Sequence, residues 1–280
     1  MKIARVVFDD RVFLGRVDDD GVALLVEESG RPGADAFREA IAADVDFSGG
    51  FETVPTAEYR LLAPIVNPSK FLCIGLNYLE HGAEQDVEVP EKPLIFAKTI
   101  NTIVGPHDAV RFRGSLTSQV DYEAELGVVI GRRLSRASRA EATNAVFGYT
   151  VINDVSARDA QFEDGQWTRG KSFDTFGPVG PWIITSDDIP DPQSLRISCR
   201  VSKETLQDSN TALMMRGVID IIVYISQFIT LEPGDLIATG TPGGVGFART
   251  PPRYLQDGDV LETTIAKIGN LTNSIQVLDD

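Results

Sequence analysis

Short runs in which apolar and polar positions alternate recur along the chain, the period-two pattern of half-buried strands. Lys2–Phe8 and 12–17 alternate in this way, and Asp18-Asp19-Asp20-Gly21 supplies turn chemistry before 22–26, which predicts hairpins. A polar stretch with Gly30, Pro32, Gly33, Gly49 and Gly50 follows, and Pro64 and Pro68 mark a boundary. Further strands are predicted over 71–76, 126–130 and 145–152. Leu236–Ala238 and Val260–Ile265 follow the turns Leu231-Glu232-Pro233-Gly234-Asp235 and Asp257-Gly258-Asp259. The period lengthens in two places. Ser138-Arg139-Ala140-Glu141 has the spacing of a capping box, in which serine and glutamate side chains satisfy free N–H groups at a helix start. Over 214–228, Val218, Ile221, Ile222, Ile225 and Phe228 recur at helical spacing and form one apolar stripe. Few helices among many short strands predict a β-rich α+β architecture, with a small β-rich unit over 1–65 and a larger domain over 66–280.

Composition narrows the function classes. At 280 residues, 42% hydrophobic and 24% charged, the chain can bury a sizeable core. A formal net charge of −15 argues against nucleic-acid binding, because a phosphate backbone would be repelled. The longest membrane-span candidate, 217–230, is short of the roughly 18 apolar residues a span needs and is interrupted by Asp220. Lys2–Phe8 reads as a strand followed by charge, not as a signal peptide. Cys73 and Cys199 form no CxxC pair, so a reducing cytoplasm is the expected setting. The acidity raises a problem for any anionic substrate: a metal or placed cations must reverse the local field.

Asp121-Tyr122-Glu123-Ala124-Glu125-Leu126-Gly127-Val128-Val129-Ile130 is the most informative segment. On a strand Glu123 and Glu125 share one face, while Tyr122, Ala124, Leu126, Val128 and Ile130 share the other. The apolar continuation places the acidic face near the interior, where two adjacent carboxylates repel and resist desolvation unless a cation joins them. A solvated outer face is the competing reading. Asp154 follows the apolar run 146–152; if the chain turns helical there, Asp154, Arg158 and Gln161 fall on one face at i, i+4 and i+7. Asp154 as a helix cap paired with Arg158 is the alternative. With only His81 and His107, a histidine-rich zinc site is excluded, and three carboxylates suit Mg²⁺, Mn²⁺ or Ca²⁺.

His81 and Glu84 are one helical turn apart. A carboxylate on an imidazole N–H orients the ring and raises its basicity, a device for activating water, although a chance surface pair has the same spacing. Gly82 and the polar run 84–91 predict a mobile loop rather than a rigid helix, suited to a lid. Lys171, flanked by glycine, small residues and aromatics, is placed to hold an enolate or carboxylate oxygen, or is a surface lysine. The loop Thr239-Gly240-Thr241-Pro242-Gly243-Gly244-Val245-Gly246 lacks P-loop and GxGxxG spacing; its N–H groups and the Thr241 hydroxyl would cradle a carboxylate, or form a plain tight turn.

Taken in order, GLNYLEHGAE (75–84), FAKT (96–99), DYEAELGVVIG (121–131), GYTVINDVSARDAQ (148–161), GKSFDTFGPVGPW (170–182), QDSNT (207–211) and TLEPGDLIATGTPGGVG (230–246) resemble the fumarylacetoacetate hydrolase family. The first 65 residues resemble the extension of its bacterial members. The resemblance implies a mixed β-sandwich roll, a homodimer, and Mg²⁺ or Mn²⁺, with Ca²⁺ also accepted. It implies metal ligands Glu123, Glu125 and Asp154, a His81–Glu84 dyad on a closing lid, Lys171 beside the substrate, substrate contacts from Tyr78, Gln161 and Thr241, and a site arginine, Arg158, that contacts substrate or pairs with the acids. Thr99 and Val201-Ser202-Lys203-Glu204 depart from the family pattern, away from the metal acids. The expected reaction is metal-dependent hydrolysis of a 2,4-dioxo acid of acylpyruvate or fumarylpyruvate type, cleaving C3–C4 through a metal-held pyruvate enolate. The alternatives are oxaloacetate decarboxylation, isomerisation of a 2-hydroxyhepta-2,4-diene-1,7-dioate type diacid, or a metal-stabilised binding protein without turnover.

Overall fold

Turns rich in aspartate fold the N-terminal strands back on one another. In the computed structural model, which describes residues 1–31, 33–43 and 45–279, Lys2–Phe8, Arg11–Asp18 and Gly21–Glu27 form successive antiparallel hairpins. Pro32, one of the expected loop markers, lies outside the described residues. The first turn holds Asp9 and Asp10 at φ of 49° and 57°, a left-handed region that aspartate enters more readily than most side chains. Glu52–Pro55 and Arg60–Leu62 pair with this group. Its strands continue a larger sheet: Lys2 and Ile3 stand opposite Ile184 and Ile183 of Gly177–Thr185. From there the sheet, twelve-stranded among the described residues, passes through Val146–Asn153, Ala124–Ile130, Leu236–Ala238 and Phe71–Gly75 to Leu94–Lys98 at its edge.

A second sheet of five strands, Glu204–Asn210, Arg196–Val201, Val260–Ile265, Gly269–Leu278 and Val110–Arg113, covers one face. Leu126, Val128 and Ile130 share one core cluster with Ile197, Val201, Leu261 and Ile265, which makes the two sheets a sandwich. On the opposite face Val129, Ile152 and Ile183 pack with Phe37 and Ala40 of helix α1 (Ala36–Ala42). Ala124–Ile130 is therefore buried along its whole length. Alternation sends its even-numbered side chains to the sandwich interior and leaves Glu125 on the other face, with Val129.

The remaining α-helices among the described residues are α2 (Leu79–Glu84), α3 (Arg139–Ala145), α4 (Arg158–Asp164), α5 (Thr168–Lys171) and α6 (Val218–Ser226). The capping box forms: Ser138 Oγ accepts from Glu141 N, and Glu141 Oε2 accepts from Ser138 N at 2.8 Å. In α6, Val218, Ile221, Ile222 and Ile225 are buried as the stripe predicts. Phe228 is not. The helix ends at Ser226, so its backbone no longer carries residue 228 onto the stripe, and Phe228 is 72% exposed with its ring against Tyr224. A second correction concerns where the loop expected from Gly82 and the run 84–91 begins: Gly82 and Glu84 belong to helix α2, and only 85–91 are free of helix and strand. Gly82 there answers to close packing: a Cβ would lie 2.7 Å from Val89 Cγ2 and 2.9 Å from Val87 O. No described helix is long and apolar enough to cross a membrane.

Candidate active site

Two neighbouring strands of the large sheet bring the acids together. Asp154 N donates to Glu123 O at 2.9 Å just beyond the Ala124–Asn153 pairing, and Asn153 Oδ1 accepts from Glu123 N at 3.1 Å. Ligand oxygens of Glu123, Glu125 and Asp154 all lie within 4.8 Å of one another, and all three residues are buried. The acidic face predicted from alternation is thus interior, not solvated.

Buried cations surround the acids unequally. Lys171 Nζ is 2.5 Å from Glu123 Oε2 and 2.8 Å from Asp154 Oδ2. Lys98 Nζ is 2.6 Å from Asp154 Oδ1 and 3.1 Å from Val155 O, and also donates to the Lys171 carbonyl. Arg158 donates through Nε to Asp121 at 2.9 Å, through one terminal nitrogen to Glu123 at 2.6 Å, and through the other to Gln161 at 3.0 Å. Its guanidinium also lies over Phe247, 4.5 Å from the ring centre. Burial works against ionised Glu123, but Lys171 and then Arg158 outweigh it and hold the carboxyl well below the usual range. Burial likewise opposes the Lys171 ammonium, and Asp154 and Glu123 outweigh that, so it stays charged.

Glu125 differs. It accepts from Gly240 N at 2.7 Å and has no lysine or arginine partner among the described ion pairs. Burial, then Asp154 and Glu123, push its carboxyl well above the usual range. A buried carboxylate left uncompensated beside two others, in an all-oxygen set, fits a hard divalent cation and gives no preference for a soft one.

Asp154 precedes the short strand Ser156–Ala157, and α4 begins only at Arg158, so the three residues Asp154, Arg158 and Gln161 do not share a helix face. They converge through tertiary packing, and Arg158 pairs with Asp121 and Glu123 rather than with Asp154. Gly170 makes the neighbouring packing possible, since a Cβ there would sit 2.6 Å from Gln161 N. That close approach of α5 to α4 carries Lys171 to the acids.

The glycine-rich loop also departs from expectation. Its N–H groups at Gly240, Gly244 and Gly246 donate to the protein's own carboxylates, Glu125 at 2.7 Å, Glu84 at 2.6 Å and Asp121 at 2.7 Å. The loop is a template for the acids, which leaves Thr241 as its side-chain contribution to the cavity. Thr241 Oγ1 accepts from Gln207 Nε2 at 2.8 Å, so its own hydroxyl proton is available to an anion.

His81 Nδ1 lies 2.7 Å from Glu84 Oε1, so the expected pair forms. His81, Glu123, Glu125, Arg158, Gln161, Lys171 and Thr241 line one cavity of about 180 Å³, room for a small organic acid. Tyr78 does not line it: the residue is fully buried and its hydroxyl has no hydrogen-bond partner among the described residues. Sequence reasoning missed Lys98, Asp121, Gln85 and Gln207. Lys98, Asp121 and Gln207 each had a signal, a place in the family-like stretches FAKT, DYEAELGVVIG and QDSNT, and Lys98 also closes the apolar run 94–97.

The fold and this acid cluster define a mixed β-sandwich protein with a small, cation-ringed carboxylate centre. The chain belongs to the fumarylacetoacetate hydrolase family: residues 70–276 match the family described as "Fumarylacetoacetate (FAA) hydrolase C-terminal". It is 43% identical over 249 residues to "Oxaloacetate tautomerase Fahd2a, mitochondrial" of Rattus norvegicus, covering 89% of this chain and 77% of that protein. Among solved structures it resembles a fumarylacetoacetate hydrolase from Exiguobacterium antarcticum, with TM-score 0.86, 39% identity and coverage of 99% and 100%. It also resembles a 2-hydroxyhepta-2,4-diene-1,7-dioate isomerase from Mycobacterium marinum, with TM-score 0.79, 39% identity and coverage of 99% and 98%.

Proposed function

We propose that this protein is a divalent-metal-dependent enzyme that relocates a proton between carbon and oxygen in a small 2-oxo diacid of the oxaloacetate kind. The observation that carries the reading is the cavity itself, where the Lys171 ammonium, 2.5 Å from Glu123 and 2.8 Å from Asp154, stands beside an acid cluster whose member Glu125 has no lysine or arginine partner among the described ion pairs. Held by Glu123, Glu125 and Asp154, Mg²⁺ or Mn²⁺ (or Ca²⁺) would supply Lewis acidity to the substrate's oxygens. The cation would also reverse the field that otherwise repels a dianion from this acidic chain.

The chain's own groups have separable tasks. The Lys171 ammonium donates to the oxygen that gains negative charge as a proton leaves the adjacent carbon. Arg158, fixed by Asp121, Glu123 and Gln161, holds the acid geometry. Thr241 donates its hydroxyl proton to a substrate carboxylate. His81, oriented by Glu84, accepts or returns a proton. The names of the rat and mycobacterial relatives, a tautomerase and an isomerase, both describe rearrangement.

The His81–Glu84 pair favours a second reading, hydrolysis of an acylpyruvate, because an imidazole backed by a carboxylate suits water activation. One panel tests both with Mg²⁺ or Mn²⁺. It follows enol–keto interconversion of oxaloacetate by absorbance, pyruvate release from oxaloacetate as decarboxylation, and pyruvate release from acylpyruvates as hydrolysis. Tautomerisation dominant over both releases supports the first reading. Dominant acylpyruvate cleavage replaces it with the second, and tight metal binding with no turnover would leave a binding protein.

A further inference from the structure

Gln85, the residue that ends α2, lines the same cavity as the acids. Its side-chain nitrogen lies 3.0 Å from the His81 carbonyl oxygen and 2.8 Å from His81 Nε2. A backbone carbonyl only accepts, so the group facing it is the NH₂ and not the amide oxygen. The same NH₂ then donates to Nε2, which must present a lone pair. The ring proton is therefore on Nδ1, donated to Glu84 Oε1 at 2.7 Å. Both ring nitrogens are engaged, and a direct 2.8 Å contact leaves no space for a water between Gln85 and the ring.

Any reaction that uses Nε2 must first give the Gln85 N–H another acceptor. We infer that Gln85 is a specificity-determining residue, which releases His81 for substrates carrying a second carboxylate and withholds it from acylpyruvates whose acyl end is uncharged. This rests on the proton-relocation reading above. In oxaloacetate the far carboxylate is an ionised acceptor, and a hydrogen bond to it is about twice as strong as one to the neutral carbonyl that an acylpyruvate offers there. Once the amide has moved, Nε2 takes a proton from C3, the C–H electron pair becomes the C2–C3 double bond, and the 2-oxo oxygen takes up a solvent proton to give the enol while Nε2 returns its own proton to solvent. Hydrolysis needs a different occupant. A water must lose its proton to Nε2 while its oxygen adds to C4, after which C3–C4 breaks with the electron pair on C3. The Gln85 contact fills the place that this water requires.

The test compares wild type with Gln85→Ala and Gln85→Glu. The preference in kcat/KM for oxaloacetate tautomerisation over cleavage of an acylpyruvate with an uncharged acyl end should fall by about tenfold in Gln85→Ala, the difference between a charge-assisted and a neutral hydrogen bond. It should fall further in Gln85→Glu, where a donor becomes an anion, with the change carried mainly by a higher KM for oxaloacetate. Nitrogen NMR gives a readout independent of turnover. On a His107→Gln background, which leaves His81 as the sole histidine, the proton should sit on Nδ1, and the Nε2 resonance should move when the Gln85 donor is removed. A proton on Nε2 in the wild type overturns the proposal, as does an unchanged substrate preference in a folded Gln85→Ala. A wild type that turns over neither acid overturns this proposal and the proposed function together. Oxaloacetate turnover with an unchanged preference overturns this one alone.

Discussion

Glu125→Gln should stabilise the metal-free protein while abolishing its response to metal. The wild-type carboxyl is buried beside Asp154 and Glu123, and its one described hydrogen-bond partner is the Gly240 N–H. A glutamine of the same shape keeps an oxygen for Gly240 and turns an NH₂ to the neighbouring carboxylates. Leaving a buried polar group uncompensated costs about 1–3 kcal/mol, more when it is charged. At roughly 2–4 °C per kcal/mol for a chain of this size class, the metal-free variant should melt about 2–12 °C higher at neutral pH. The sign follows from linkage. The folded acid's range lies above that of the unfolded acid, so its contribution is fully present below the unfolded range and is lost as pH rises to the folded one. The gap between variant and wild type should therefore widen with pH across that window and close in acid. With metal at a hundredfold excess over Kd, the wild type should gain about 2.7 kcal/mol, whereas the variant should gain little. Calorimetric melting with and without Mg²⁺ or Mn²⁺, at several pH values, reads both effects. A metal-free variant that melts below wild type, or a metal response of undiminished size, would refute the account of Glu125 as the uncompensated ligand.

Three further substitutions probe the surrounding architecture. Arg158→Met removes the partner of both Asp121 and Glu123 and should cost about 3–5 kcal/mol, the price of stranding buried charge, measured by denaturant unfolding. Gly170→Ala drives a Cβ into the Gln161 backbone and should cost about 1–3 kcal/mol, with a fall in kcat larger than a stability loss alone explains, because Lys171 shifts with α5. His81→Ala should lower oxaloacetate tautomerisation by about 10²–10⁴, whereas oxaloacetate decarboxylation, which needs no base at C3, should fall less; equal losses would show that the His81–Glu84 pair is not the group that moves the C3 proton.

Local pattern was sufficient wherever neighbours in sequence are neighbours in space. Period-two alternation placed Glu123 and Glu125 on one face, the hairpin turns followed from their aspartates and glycines, and Ser138 with Glu141 capped a helix as their spacing requires. The His81–Glu84 contact lies within a single helical turn and was legible for the same reason. Local pattern erred where backbone geometry changed between the residues compared. The 3.6-residue period does not extend through Phe228 once α6 has ended, and Asp154 is separated from Arg158 by strand rather than helix. Gly82 signalled flexibility in sequence but is fixed by the approach of Val87 and Val89.

The sequence by itself determined the family motifs, the β-rich class and the oxygen-only character of the acid set. Tertiary structure alone decided how those acids are compensated. Lys98 reaches Asp154 across 56 positions and Arg158 reaches Asp121 across 37, while the glycine-rich loop spends its N–H groups on Glu125, Glu84 and Asp121 from distant parts of the chain. Alternation and spacing encode which face a side chain takes on its own element. They carry no information about which other element will be packed against that face, and the charge state of a buried carboxylate depends on that packing.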